Sequence, residues 1–126
     1  MKWPCIQLNK YTQNALEFDE ELDFSENAKK LIGVEGISST HVYGSILALG
    51  EDAYDLDCTI ETTLIMHDAL TWETIDVPLT IDCQEIEASF PQNEDERIIN
   101  NGVINLDDII WEYIVLNKPF RVTKKD

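Results

Sequence analysis

The chain has 126 residues and carries 25 acidic against 9 basic side chains, a formal charge of −16. Its hydrophobic fraction of 44% suits a folded protein and is too high for a disordered acidic chain. One domain spanning 1–126 with a real core is expected at this length. A body that grips nucleic acid is disfavoured, because that affinity comes largely from lysine and arginine neutralising phosphates.

The chain opens Met1-Lys2-Trp3-Pro4-Cys5 with no apolar stretch after it, so no secretory leader is expected. Lys2 to Lys10 reads as a first strand, with Pro4 near its start, where a missing N–H is tolerated. From Leu16 to Phe24 the pattern alternates. Leu16, Phe18, Leu22 and Phe24 share one face, and Glu17, Asp19, Glu21 and Asp23 share the other. Glu20 breaks the apolar face and marks a bulge or an edge. Ser25 is placed to cap a short helix over 26–31, ended by Gly33 and Gly36.

His41 to Leu49 is apolar on both faces and reads as a central strand, with Gly44 allowing a close approach. Gly50-Glu51-Asp52 is a turn signal. Tyr54 to Leu64 then alternates cleanly. Tyr54, Leu56, Cys58, Ile60 and Leu64 point inward; Asp55, Asp57, Thr59, Glu61 and Thr63 point outward. Met66 to Thr71 is expected to be a connection. Trp72 to Phe90 reads as a long strand whose apolar positions are odd-numbered up to Cys83 and even-numbered from Ile86. With a period of two, that switch predicts a bulge or break near Glu85.

Pro91 to Gly102 is a polar loop containing Glu94-Asp95-Glu96 and an Asn101-Gly102 turn. A helix over 106–116 follows. Asn105 is its cap, Asp107 and Asp108 lie in its first turn, and Leu106, Ile109, Ile110, Tyr113 and Ile114 form its core face. Asp108 and Glu112 share an acidic ridge four residues apart. Pro119 forces the helix to end near Leu116. Residues 118–126, with Lys118, Arg121, Lys124 and Lys125 against Asp126, form a basic tail on an otherwise acidic body. The elements together predict an α+β fold: a mainly antiparallel sheet of five to six strands, a short helix near 26–31 and a C-terminal helix.

Chemistry-bearing residues are sparse. The cysteines Cys5, Cys58 and Cys83 form no C-x-x-C pair and suit free thiols in a cytoplasmic setting. His67-Asp68 with Cys58 is the nearest approach to a metal set, but Cys58 falls on an apolar strand face and His67-Asp68 at a turn, so no metal or other cofactor is expected. Asp55-Leu56-Asp57 lacks the glycine and distal glutamate of a calcium loop. His41 reads as an ordinary residue at a strand start, and Ser38-Ser39-Thr40-His41 lacks a nucleophile elbow. No segment approaches the ~20 apolar residues of a membrane span; Ile109 to Leu116 is interrupted by Glu112. The remaining feature is the acidic set Glu17, Asp19, Glu21, Asp23, Asp55, Asp57, Glu61, Asp108 and Glu112. It is either a solvated surface or a docking site for a basic protein.

Three segments resemble the YceD/YlbN family. They are Met1-Lys2-Trp3 through Gln7-Leu8-Asn9-Lys10 with Leu16-Glu17-Phe18-Asp19-Glu20; Ile37 to Gly44 leading into Asp57 to Leu64; and Gly102-Val103-Ile104-Asn105-Leu106 with Ile110-Trp111-Glu112-Tyr113-Ile114 and Pro119. The resemblance implies a non-enzymatic role in ribosome biogenesis, in the accumulation of large-subunit ribosomal RNA. Many relatives carry a cysteine-containing element where this chain reads Met66-His67-Asp68-Ala69-Leu70, so a metal carried by relatives is not transferred. Relatives also continue into a further acidic and then Leu/Lys-rich segment, whereas this sequence ends at Asp126. Combined with the charge, the resemblance implies a basic partner, such as a ribosomal protein or assembly factor, rather than RNA held by the acidic body. The alternatives are a nucleic-acid mimic, a small enzyme built on Cys83, His67 or a buried Glu20, and a structural subunit that pairs edge strands with itself.

Overall fold

The computed structural model describes residues 1–119 and 121–122. The chain runs β1 (Lys2–Pro4), α1 (Cys5–Leu8), β2 (Leu16–Leu22), α2 (Ser25–Ala28), β3 (Val34–Ile37), β4 (Thr40–Gly50), β5 (Ala53–His67), β6 (Thr74–Ala88), β7 (Arg97–Ile98), β8 (Val103–Asn105) and α3 (Leu106–Asn117). The α+β class and the C-terminal helix agree with the sequence reading.

Six strands make one sheet in the order β2-β4-β5-β6-β7, with β3 beside β4 on the same edge of β5. All pairings in it are antiparallel except β6 with β7. β1 and β8 form a separate two-stranded ribbon. The inner face of the large sheet carries Phe18, Val42, Ile46, Tyr54, Leu56, Cys58, Ile60 and Leu64. These join Trp3, Leu8, Phe24, Ile104, Ile109, Ile110 and Ile114 in one buried cluster. Each fully buried large apolar side chain contributes roughly 1.5–3 kcal/mol. Gly44 lies on this face opposite Cys58, where an added Cβ would stand 2.1 Å from the Asp57 carbonyl oxygen. The close approach expected at Gly44 is therefore a requirement of the sheet.

Several expectations are corrected. The proposed first strand stops at Pro4, whose extended backbone starts α1; Cys5 and Leu8 are buried while Ile6 and Gln7 are exposed, a helical spacing within the expected strand. The second helix begins at Ser25 rather than after it, and Ser25 is not its cap. Asp23 accepts the Ser25 N–H at 2.9 Å. Tighter turn bonds continue to Leu31, and Gly33, at φ 81°, turns the chain into β3, a strand the glycines had concealed. Glu20 lies on an edge strand as expected, but β2 pairs with β4 without a bulge. Met66 and His67 belong to β5, and the connection is confined to 68–73.

The largest correction concerns β6. It pairs with β5 from Ala53↔Ala88 to His67↔Thr74 with no slip in register. There is neither bulge nor break at Glu85. The inward phase continues, so Glu85 and Glu87 face the core opposite Leu56 and Tyr54. What reads in sequence as an apolar phase switch is two carboxyl side chains turned inside.

α3 behaves as expected. The Asn105 side chain accepts the Asp108 N–H at 3.4 Å, and Lys118 leaves helical geometry before Pro119. Of the basic tail, Lys118, Pro119, Arg121 and Val122 are described; Lys124, Lys125 and Asp126 lie outside the described residues. The Val122 carbonyl accepts the Ala69 N–H at 2.9 Å, which ties the start of the tail to the 68–73 turn. No helix among the described residues is long and apolar enough to cross a membrane.

Candidate functional site

Two places concentrate charged chemistry: the outer face of the large sheet and the inner corner where β6, β7 and α3 meet.

Register builds the outer face. Glu17, Ser45, Asp57 and Gln84 form one cross-strand row; Asp19, Tyr43, Thr59 and Asp82 form the next; Glu21, His41, Glu61 and Thr80 form a third. Asp55 lies on the same side of β5. Glu17, Asp19, Glu21, Asp55, Asp57 and Glu61 therefore share one surface, joined by Asp82, which the sequence reading had not included. No lysine or arginine occupies an outward position on these strands. The nearest to a counter-charge is His41, whose Nε2 is 2.7 Å from Asp19 and whose Nδ1 is 3.7 Å from Glu61. The hydrogen bond to Asp19 raises its pKa above the ordinary histidine value. Asp55 is raised as well, first by partial burial and then by Asp57.

The other expected acidic residues lie elsewhere. Asp23 is committed to the turn before α2, and its carboxyl is lowered by the Ser25 backbone hydrogen bond. Asp108 accepts the Asn105 side-chain amide at 2.9 Å. Glu112 belongs to the inner corner. His67 lies at the end of β5, stacked on Trp72 with ring centroids 4.5 Å apart and hydrogen-bonded to Glu35 at 3.0 Å. Asp68 is buried and accepts the Leu70 and Thr71 N–H groups, which holds the turn. Cys58 and Cys83 face each other in register as buried free thiols. Among the described residues, no group of three or more histidine, cysteine, aspartate or glutamate side chains is arranged to hold a metal.

The inner corner is organised by Arg97. Its Nε and Nη2 donate to the two Glu85 carboxylate oxygens at 2.6 and 3.2 Å, and its Nη1 donates to Glu112 at 2.7 Å. Tyr113 adds a third donor to Glu85 at 2.7 Å. Burial alone would raise the Glu85 carboxyl, but the Arg97 and Tyr113 hydrogen bonds outweigh it and hold Glu85 below the ordinary value. The Tyr113 phenol is correspondingly raised, by burial and then by Glu85.

Glu87, two residues along the same face, has the opposite environment. It is 1% exposed, and neither carboxyl oxygen has a partner in hydrogen-bond geometry among the described residues. Arg97 Nε stands 3.7 Å away, already spent on Glu85. Burial first, then the adjacent Glu85, push the Glu87 pKa up to about 9, so it is a neutral acid at pH 7.

Glu87 and Arg97 also line a cleft of about 540 Å³ between β7, β8 and the start of α3. Thus two carboxyls on one strand are split into an ionised member and a protonated one beside a cavity. That separation is a recurrent signature of functional sites, and buried structural networks share it.

The sequence reading gave no functional role to Glu85, Glu87 or Arg97. A usable signal was present: Arg97 is the sole lysine or arginine between Lys30 and Lys118, in a stretch dense with acids. A lone cation in such a segment has to be shared among carboxylates. Comparison of the chain with protein-family models, curated proteins and solved structures finds no match.

Proposed function

We propose that this protein is a non-enzymatic factor in large-subunit ribosome biogenesis that docks a lysine- and arginine-rich protein on the outer face of its sheet. The observation carrying the docking role is the register that stacks Glu17, Asp19, Glu21, Asp57, Glu61 and Asp82 on one surface, with no lysine or arginine in β2, β4, β5 or β6. Such a field accelerates encounter with a cationic partner and repels RNA phosphates. The ribosomal setting is supported by the resemblance of the opening, central and C-terminal segments to the YceD/YlbN family.

The test is binding of the purified protein to large-subunit ribosomal proteins and, separately, to naked ribosomal RNA, at low and moderate salt. The expected result is saturable binding to at least one basic protein, weakened as salt rises. Combined Glu17→Lys, Asp19→Lys and Asp57→Lys substitutions should abolish it. Tight binding to naked RNA without any basic protein partner would overturn the docking role. Failure to sediment with large-subunit precursors would overturn the ribosomal assignment.

A further inference from the structure

We propose that the open edge of β6 takes up an extended segment of a basic protein as an added strand, one in which lysines or arginines alternate with apolar residues. The proposal rests on the docking role above and adds how the partner is held, by backbone hydrogen bonds as well as by charge.

The register shows which backbone groups are on offer. The Thr63 C=O accepts the Ser38 N–H and the Thr63 N–H donates to the Ser38 Oγ, both at 2.9 Å, and the His67 N–H donates to the Gly33 C=O at 3.2 Å. These groups face β3. Pro78 and Thr74, paired with Thr63 and His67, therefore occupy non-hydrogen-bonded positions of the β5–β6 ladder. With no slip in register, every even-numbered residue of β6 turns its N–H and C=O away from β5. Ala88 follows the same parity, since its C=O accepts the Ile99 N–H on the β7 side at 2.9 Å. But β7 pairs only with Glu87 and Ala88. From Thr74 to Gln84, no strand among the described residues pairs with that edge. Pro78 has no N–H, so the donors on offer are those of Thr74, Asp76, Thr80, Asp82 and Gln84.

The side chains decide which strand fits. On the inner face Ile81 and Cys83 are buried, but Ile75, Val77 and Leu79 are only half-buried, so the apolar row loses its cover toward Thr74. Apolar residues of an added strand complete that cover. On the outer face Asp76 and Asp82 flank Pro78 and Thr80, and Thr80 lies opposite Glu61. Opposite charges on neighbouring strands attract and like charges repel. Lysine or arginine therefore suits the outward positions. A second copy of this chain does not, because it adds a further row with Asp76 and Asp82 to a body of net charge −16. The other end of the sheet is guarded: β2 carries Glu20 at an inward position, a charge that strand addition would bury.

The probe is a synthetic peptide of alternating lysine and valine, and the control is a peptide with the same residues in two blocks. Each is titrated into the full chain at low salt, with amide hydrogen exchange reading the site. In the free protein the Thr80, Asp82 and Gln84 amides should exchange fast and those of Leu79, Ile81 and Cys83 slowly. The alternating peptide should slow the first set and bind about tenfold or more tighter than the block peptide. Methylating its lysine backbone nitrogens blocks an antiparallel added strand, and methylating the valine ones blocks a parallel one, so one of these two peptides should lose binding and the other keep it. Thr80→Pro removes a donor that β5 does not use, so it should weaken the alternating peptide severalfold and leave the protein folded.

Strand addition is overturned by equal binding of the block peptide, by binding that survives both methylations, by unchanged exchange at Thr80 and Asp82, or by full binding to a folded Thr80→Pro protein. It is also overturned if those amides are already protected in a free chain of doubled mass, where a second copy holds the edge. Any of these results alongside binding of a basic ribosomal protein removes strand addition and leaves the docking role standing; loss of that protein's binding removes the docking role itself.

Discussion

Asp57 and Glu87 stand on neighbouring antiparallel strands of one sheet, and each follows the strict alternation of its strand. Asp57 points to solvent between Ser45 and Gln84. Glu87 points inward opposite Tyr54, beside the Arg97–Glu85 ion pair and with no hydrogen-bond partner in geometry among the described residues. On the outer face, carboxylates stand in water without a lysine or arginine among them, and their joint effect is a long-range field. In the inner corner, the single Arg97 guanidinium is shared between Glu85 and Glu112, and burial beside Glu85 raises the Glu87 pKa. The contrast shows that a carboxyl's role here is set by the face its strand turns toward, and not by local acid density.

Three experiments break or sharpen that contrast. The largest effect is expected from Arg97→Ala, which leaves Glu85 buried without its cation. The expected loss is about 2 kcal/mol, below the range for fully buried pairs because the Arg97 side chain is 31% exposed. Urea unfolding at pH 7 measures it, and an unchanged midpoint would mean that the corner is not held by this pair.

Next comes the pH dependence set by Glu87. Its folded pKa of about 9 lies above the ordinary glutamate value of 4.5, so the folded form retains a proton that the unfolded chain releases. Its contribution to stability is full below pH ~4.5 and is lost as pH rises toward about 9. Glu85, lowered when folded, works in the opposite direction: its contribution is present above the ordinary carboxylate range and is lost as pH falls below it. The two titrate as a pair. Wild type should therefore lose stability relative to Glu87→Gln between pH 5 and pH 9, read from urea midpoints at each pH. Parallel profiles would show that Glu87 is ionised throughout.

The smallest effect on the fold is expected from Asp57→Asn on the outer face, where removing one solvated charge should leave the urea midpoint within error. Binding to a basic protein should nevertheless weaken severalfold at low salt and converge with wild type at high salt. A large stability loss would show that the outer carboxylates support the sheet instead of merely coating it.

How much was legible beforehand depended on how local the signal was. Tyr54 to Leu64 alternates, and the inward set read from it is buried, joined by Thr62. Asn105, the apolar spacing after it and Pro119 marked the helix at both ends. β3 was missed because four residues flanked and interrupted by glycine carry too little periodicity, and α1 because one helical turn after Pro4 is too short to outweigh strand-forming neighbours. The acidic outer residues were visible singly. Their gathering into rows required the register of four strands, whereas Asp108 and Glu112 are carried on α3 in another part of the molecule.

By itself the sequence determined the excess of acid over base, the long central strands, the capped final helix and the α+β class, because each follows from residue types or from spacing within a few neighbours. Tertiary structure alone decided which carboxylates meet water and which meet Arg97. Burial and the arrival of a distant cation set a side chain's ionisation, and both depend on residues far apart in the chain.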